Sequence, residues 1–155
     1  MLNMHFPRRT FSYPPLYIAG VTWYSCLMKF LEDLSIQNMT CPPKEAAPGR
    51  FVVYRLVDNV PMKTEDIWSQ RALYPTKVFK GIDECIARAC SVFTNCEDLN
   101  KFRKMPKFKM KKMVAIGIKE RDGVLLKTFS DSHLSWWIFK GFNLTAVTIA
   151  KESRR

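Results

Sequence analysis

The sequence predicts a small α+β domain, a mixed or antiparallel sheet with packed helices, preceded by an N-terminal amphipathic helix. Three observations carry that expectation. Short runs rich in β-branched and aromatic residues recur from Phe51 onward, segments with helical spacing or capping signals fall between them, and the two kinds lack the regular alternation of a doubly wound sheet. With 155 residues, 18.1 kDa, 47% hydrophobic and 13% aromatic content, the chain has enough apolar surface for one core and an appendage. That balance excludes disorder throughout, repeat architectures and a polytopic membrane protein.

The first apolar stretch, Leu16 to Met28 (LYIAGVTWYSCLM), follows Arg8-Arg9 in the manner of a signal peptide. Pro14-Pro15 interrupt its start, no small-residue cleavage signal follows Met28, and Lys29 with Glu32-Asp33 close it short of the ~20 residues a spanning helix needs. The reading is an amphipathic helix over about 16–35, within a helical extension 1–39 that packs on the main domain or on a protein partner and does not span a membrane. Residues 40–49, TCPPKEAAPG, contain three prolines and read as an extended linker. A basic α+β domain then occupies 50–155.

Phe51–Val57 is rich in β-branched and aromatic residues and reads as a strand closed by Asp58-Asn59 and Pro61. Thr64 before Glu65-Asp66 marks a short helix over 65–72, because a hydroxyl caps free N–H groups and carboxylates suit the positive end of the helix dipole. Ile82, Cys85, Ile86 and Ala89 recur at helical spacing and predict a helix over 81–89. Within the run Cys90 to Glu97 a short strand leads straight into a helix, with the turn at Thr94, Thr94 and Glu97 in the relation of a capping box and the helix stopping before Pro106. Met113–Ile118 reads as a buried strand. Glu120 to Gly123 supply a turn in which Gly123 can take positive φ, and Val124–Leu126 return as the hairpin partner. A last strand is expected at 144–150.

Charge is distributed unevenly. Four basic and three acidic residues precede Arg50, whereas 21 basic and 11 acidic ones lie from Arg50 to the end, so nearly all of the net +11 belongs to the second part. Within it, Lys101, Arg103, Lys104, Lys107, Lys109, Lys111 and Lys112 place seven cations in twelve residues without one acidic residue. As a strand, Lys107, Lys109 and Lys111 would share one face at roughly 6.6 Å intervals. Such a row fits a phosphodiester track on RNA or DNA, or an acidic protein; the alternative is a lysine-guarded edge strand that discourages aggregation.

Five cysteines at irregular spacing match neither a paired disulfide framework nor zinc-binding pairs, so reduced thiols in a cytoplasmic protein are expected. With only His5 and His133, no His-rich metal centre is available. No P-loop, G-x-G-x-x-G, G-x-S-x-G or H-E-x-x-H motif occurs. In His133-Leu134-Ser135-Trp136-Trp137, adjacent tryptophans cannot both point inward on a strand and lie about 100° apart on a helix, so on either reading one is expected at the surface or in a pocket. It then either packs at an element end or stacks on a ring-bearing ligand.

The order Tyr54-Arg55, Thr64 with Asp66, Ser91-Val92-Phe93-Thr94 before Glu97-Asp98, Asp122-Gly123 and His133 to Trp137 resembles the small ADP-ribosyltransferase-like domains of bacterial toxins and prophages. The resemblance covers residues 50–150. It implies an NAD-consuming toxin or effector in which Arg55 holds the dinucleotide and Ser91 with Thr94 supports the nicotinamide end. Tyr54, Phe93 and Trp136 would line the cofactor, and His133 would either contact the ligand or serve the structure. The late glutamate of that superfamily has no counterpart in a recognisable motif here, since Glu120 lies in a turn and Glu152 near the end. A second class of function stands beside it, a non-enzymatic module whose Lys101–Lys112 segment, through Arg103, Lys104, Lys107, Lys109, Lys111 and Lys112, docks on nucleic acid or an acidic partner.

Overall fold

The computed structural model of the protein describes residues 28–149. Six antiparallel strands form one sheet: β1 (Phe51–Val57), β2 (Cys90–Phe93), β3 (Lys112–Ile118), β4 (Gly123–Lys127), β5 (His133–Ile138) and β6 (Val147–Ile149), in the spatial order β4-β5-β2-β1-β3-β6. The α+β expectation is met in its coarse form. Helices are short: α1 (Gln70–Leu73), α2 (Glu84–Ala87) and α3 (Cys96–Arg103), with 3-10 turns between them.

β1 pairs with β3 along its whole length, from Phe51↔Ile118 to Val57↔Lys112. Its register with β2 is confined to Tyr54↔Phe93. Beyond that point the two strands part, and the Arg55 side chain crosses the space to the Ser91 carbonyl. Gly123 does adopt positive φ, +152°, but Val124–Leu126 do not return along β3. A 3-10 turn at Glu120–Asp122 redirects the chain so that β4 pairs with β5, Leu125 opposite Trp136. Turn chemistry sets where a chain bends; the partner is set by which strand offers a matching buried face.

Alternation along the strands divides the core between the two faces. On one face, Val53, Val57, Cys90, Val92, Val114, Ile116, Leu134 and Trp136 pack against Met62 and Ile67 from the β1–α1 connection. On the other, Val124, Trp137, Phe139, Cys85 and Ala89 pack beneath residues 28–46, while Phe93, Leu99 and Met113 form a smaller cluster under α3. The central part of the sheet is therefore covered on both sides. This corrects the expectation for the tryptophan pair: Trp136 and Trp137 point to opposite faces and both are buried, at 0% and 1% exposure.

Residues 28–35 of the expected N-terminal helix are not helical, and its earlier part, 16–27, lies outside the described residues. The segment is a strap. Phe30 bridges Phe139, Leu31 N–H donates to the Ile138 carbonyl at 2.8 Å, and Glu32 accepts from Ser69 N–H and Oγ. Nor is 40–49 a free spacer, because Ala47 exchanges both backbone hydrogen bonds with Leu125 and Cys41 forms a disulfide with Cys85. That bond corrects the expectation of reduced thiols for this pair; Cys90 and Cys96 are free. The helices at 65–72 and 81–89 are also shorter than their spacing suggests. The first is a 3-10 turn, Thr64–Ile67, followed by α1, whose N-terminus Ser69 caps by accepting from Ala72 N–H. At α3 the cap is Asn95, one residue past the expected Thr94. The last expected strand, 144–150, is a 3-10 turn at Leu144–Ala146 followed by β6.

Candidate functional site

The residues assigned to a dinucleotide cleft do not converge. Arg55 occupies the gap between β1 and β2, where its guanidinium donates to the carbonyls of Ser91, Asp66 (2.6 Å) and Trp68 (3.2 Å). By strand alternation it shares the face of Val53 and Val57, whereas Ser91 shares the opposite face with Phe93 and Ser135. Tyr54 packs with Phe93 and Leu99 beneath α3. Trp136, enclosed at 0% exposure, offers no ring face to a ligand. Thr94 uses its hydroxyl on the Ser132 carbonyl. A cavity of about 10 Å³ under the strap, lined by Glu32, Cys90 and Trp136 among others, has room for about one water. Neither it nor the broad depression along residues 28–41 is lined by Arg55, Ser91, Thr94 or His133.

Arg55 is instead a clamp that satisfies three carbonyls where sheet pairing lapses. Beside it, the buried Asp66 carboxylate accepts from the backbone N–H groups of Asp58 (2.9 Å), Lys63 (3.0 Å) and Asn59 (3.4 Å). Burial opposes ionisation of Asp66, but those donors outweigh it and hold the carboxyl below its ordinary value. The Arg55 and Asp66 positions singled out by the resemblance thus serve the fold of the β1–α1 connection.

His133 belongs to a different constellation. Its Nδ1 lies 2.8 Å from Thr128 Oγ1, which is in turn 2.8 Å from Ser135 Oγ. Burial pushes the imidazole below its ordinary value, a hydrogen bond with the Thr128 backbone partly opposes this, and the Arg55 charge adds to the lowering. The ring is edge-on to Phe93 at 5.0 Å and close to Phe129 at 5.1 Å. Phe93 also meets Phe102 at 5.5 Å, and Phe102 meets Phe108 at 6.3 Å. A continuous row of rings therefore runs Phe108, Phe102, Phe93, His133, Phe129, crossing from the segment after α3 to the β4–β5 turn.

That row lies beside the cationic segment. Residues 107–111 are not a strand, which corrects the expected lysine ladder: Pro106–Phe108 is a 3-10 turn, with a further turn before β3. Pro106 favours that start, since its missing N–H has no partner to lose at the first position of a helix. Lys104, Lys107, Lys109 and Lys112 are exposed, and none of these four makes an ion pair among the described residues. Lys107 lies 4.7 Å over the Phe108 ring. Lys111 is paired with Asp58 and Lys101 with Asp98; Arg103 is half-buried at the end of α3. Asp98 also accepts from Ser132 Oγ at 2.7 Å, which ties the β4–β5 turn to α3. Asp131 is paired with Lys127, so two acidic groups beside the rings are already neutralised.

Sequence motifs do not point to Phe102, Phe129 or Thr128 as site residues. The available signal was Phe129 itself, an aromatic residue inside the polar run Thr128-Phe129-Ser130-Asp131-Ser132. Comparison with family models, curated proteins and solved structures finds no match to this chain.

Proposed function

We propose that the protein is a non-enzymatic module that binds nucleic acid through the segment Lys101–Lys112. The observation that carries this reading is the cluster of exposed cations Lys104, Lys107, Lys109 and Lys112, none of them in an ion pair among the described residues, set against the aromatic row and within a chain of net charge +11. Ammonium groups in that setting neutralise phosphates and release counterions, giving sequence-tolerant, salt-sensitive affinity. The turn geometry fans the lysines around a bend rather than aligning them along a strand, which suits a flexible backbone. The alternative role of a guarded sheet edge loses its support, since 107–111 is not a strand.

Fluorescence polarisation with short labelled RNA and DNA oligonucleotides tests it. Log affinity is expected to fall linearly with log salt, with a slope of roughly −3 to −4 for four neutralised phosphates. Reversing charge at Lys104, Lys107 and Lys109 together, each to Glu, is expected to abolish binding. Wild-type affinity in that variant, or affinity indifferent to salt, overturns the reading.

A further inference from the structure

We infer that the exposed rings of Phe129 and Phe102 stack on unpaired bases, so that the ligand class is single-stranded nucleic acid. The inference rests on the reading above and deepens it. Phe129 is 69% exposed, and its backbone φ is +55°, in the left-handed region that a bulky side chain rarely occupies. Burial does not account for an aromatic residue at this position, since most of its surface faces water. The turn around it is braced: Thr128 N–H donates to the His133 carbonyl at 3.1 Å, the Thr128 hydroxyl meets His133 Nδ1, and Ser132 is tied to both Thr94 and Asp98. An exposed ring on a braced turn loses little freedom when a flat ligand settles on it.

Phe102, 39% exposed, stands further along the same row. Phe108 completes it, with Lys107 over its ring, joining the row to the cations that track a backbone. Unpaired bases present π-faces to such rings, and stacking tolerates any sequence; in a duplex those faces are hidden between neighbouring pairs. Reading a duplex groove needs a protruding helix or ribbon, and the cationic segment is a helix end followed by turns.

The decisive experiment measures Phe129→Gly against single-stranded RNA, single-stranded DNA and a duplex of matching sequence, with thermal unfolding of the same samples. Glycine removes the ring and suits positive φ, so the unfolding midpoint is expected to hold or rise while single-strand affinity falls about tenfold. Phe129→Trp is expected to retain binding, and Phe102→Ala to weaken it by a similar factor. Equal affinity of wild-type protein for single strand and duplex, or Phe129→Gly binding single strands as tightly as wild type, overturns the inference. Should the lysine reversals abolish binding while Phe129→Gly does not, the stacking inference alone fails. Absence of binding to every oligonucleotide removes the nucleic-acid reading itself. The two single-strand arms show whether ribose or deoxyribose is preferred.

Discussion

The Arg55 guanidinium donates to the Ser91 carbonyl across the gap where β1 and β2 part, and so takes the place of ladder hydrogen bonds that the two strands do not make. The same group holds Asp66 and Trp68, fixing the β1–α1 connection to the sheet. Truncation in Arg55→Ala leaves three carbonyls without their donor, at about 1–3 kcal/mol for each acceptor left dry. We expect a loss of about 3 kcal/mol or more by urea denaturation. Arg55→Lys keeps the charge but cannot span three acceptors with a planar fork, and is expected to lose about half as much. A wild-type midpoint in Arg55→Ala means that the clamp is dispensable.

Gly123 stands where β4 begins, against the end of β5. A Cβ there would lie 2.3 Å from the Trp137 carbonyl oxygen and 2.5 Å from Trp136 Nε1, and φ is +152°. Trp136 cannot retreat, because it is fully buried and meets Phe142 edge-on at 4.9 Å. Gly123→Ala is therefore expected to destabilise by more than about 2 kcal/mol, through overpacking and backbone strain together. Calorimetric unfolding checks it.

Some of this was legible in the sequence and some was not, for physical reasons. Phe51–Val57 and Met113–Ile118 announce themselves as strands because branched and aromatic side chains suit a pleated, half-buried surface. Gly123 shows itself as a turn glycine for a similarly local reason. What a strand pairs with is not local, and β4 follows β3 in sequence yet pairs with β5. Burial of both tryptophans needs a strap from residues 28–46 and a lid from the β1–α1 connection, neither of which is written into the period of β5. Arginine at the end of a strand serves a ligand or its own backbone equally well, and Arg55 serves the backbone. The ring row could not be read at all, since Phe102 and Phe129 meet its centre only through the pairing of Phe93 with His133.

The Cys41–Cys85 disulfide joins the strap to α2 across a sequence separation of 44, beside the Trp137 Nε1–H donation to the Cys85 carbonyl at 3.1 Å. Closing a loop of that length restricts the unfolded chain, and in the chain-entropy account contributes about 2–4 kcal/mol. Reductant is expected to lower the unfolding free energy by that amount, and the midpoint with it. The double variant Cys41→Ser, Cys85→Ser is expected to match the reduced wild-type protein and to be indifferent to reductant. A midpoint unmoved by reductant shows that the other strap contacts suffice.

Acid sensitivity is expected in two stages, because two buried groups titrate below their ordinary values. His133, lowered from 6.5 chiefly by burial, binds its proton more weakly in the folded chain than in the unfolded one. Its contribution is fully present above pH ~6.5 and declines as pH falls through the folded value, since the unfolded state then takes up the proton first. Asp66, lowered from 3.8, behaves alike at lower pH: the stability from its backbone donors is retained down to about pH 4 and lost below as the carboxylate is protonated. Stability measured by denaturant midpoint from pH 7 to pH 3 is thus expected to decline first below ~6.5 and again below ~4. His133→Gln, which keeps a polar group near Thr128 without a titrating ring, is expected to flatten the first decline and leave the second. Asp66→Asn is expected to do the reverse while costing about 2–3 kcal/mol at neutral pH, because its amide cannot accept at both oxygens as the carboxylate does.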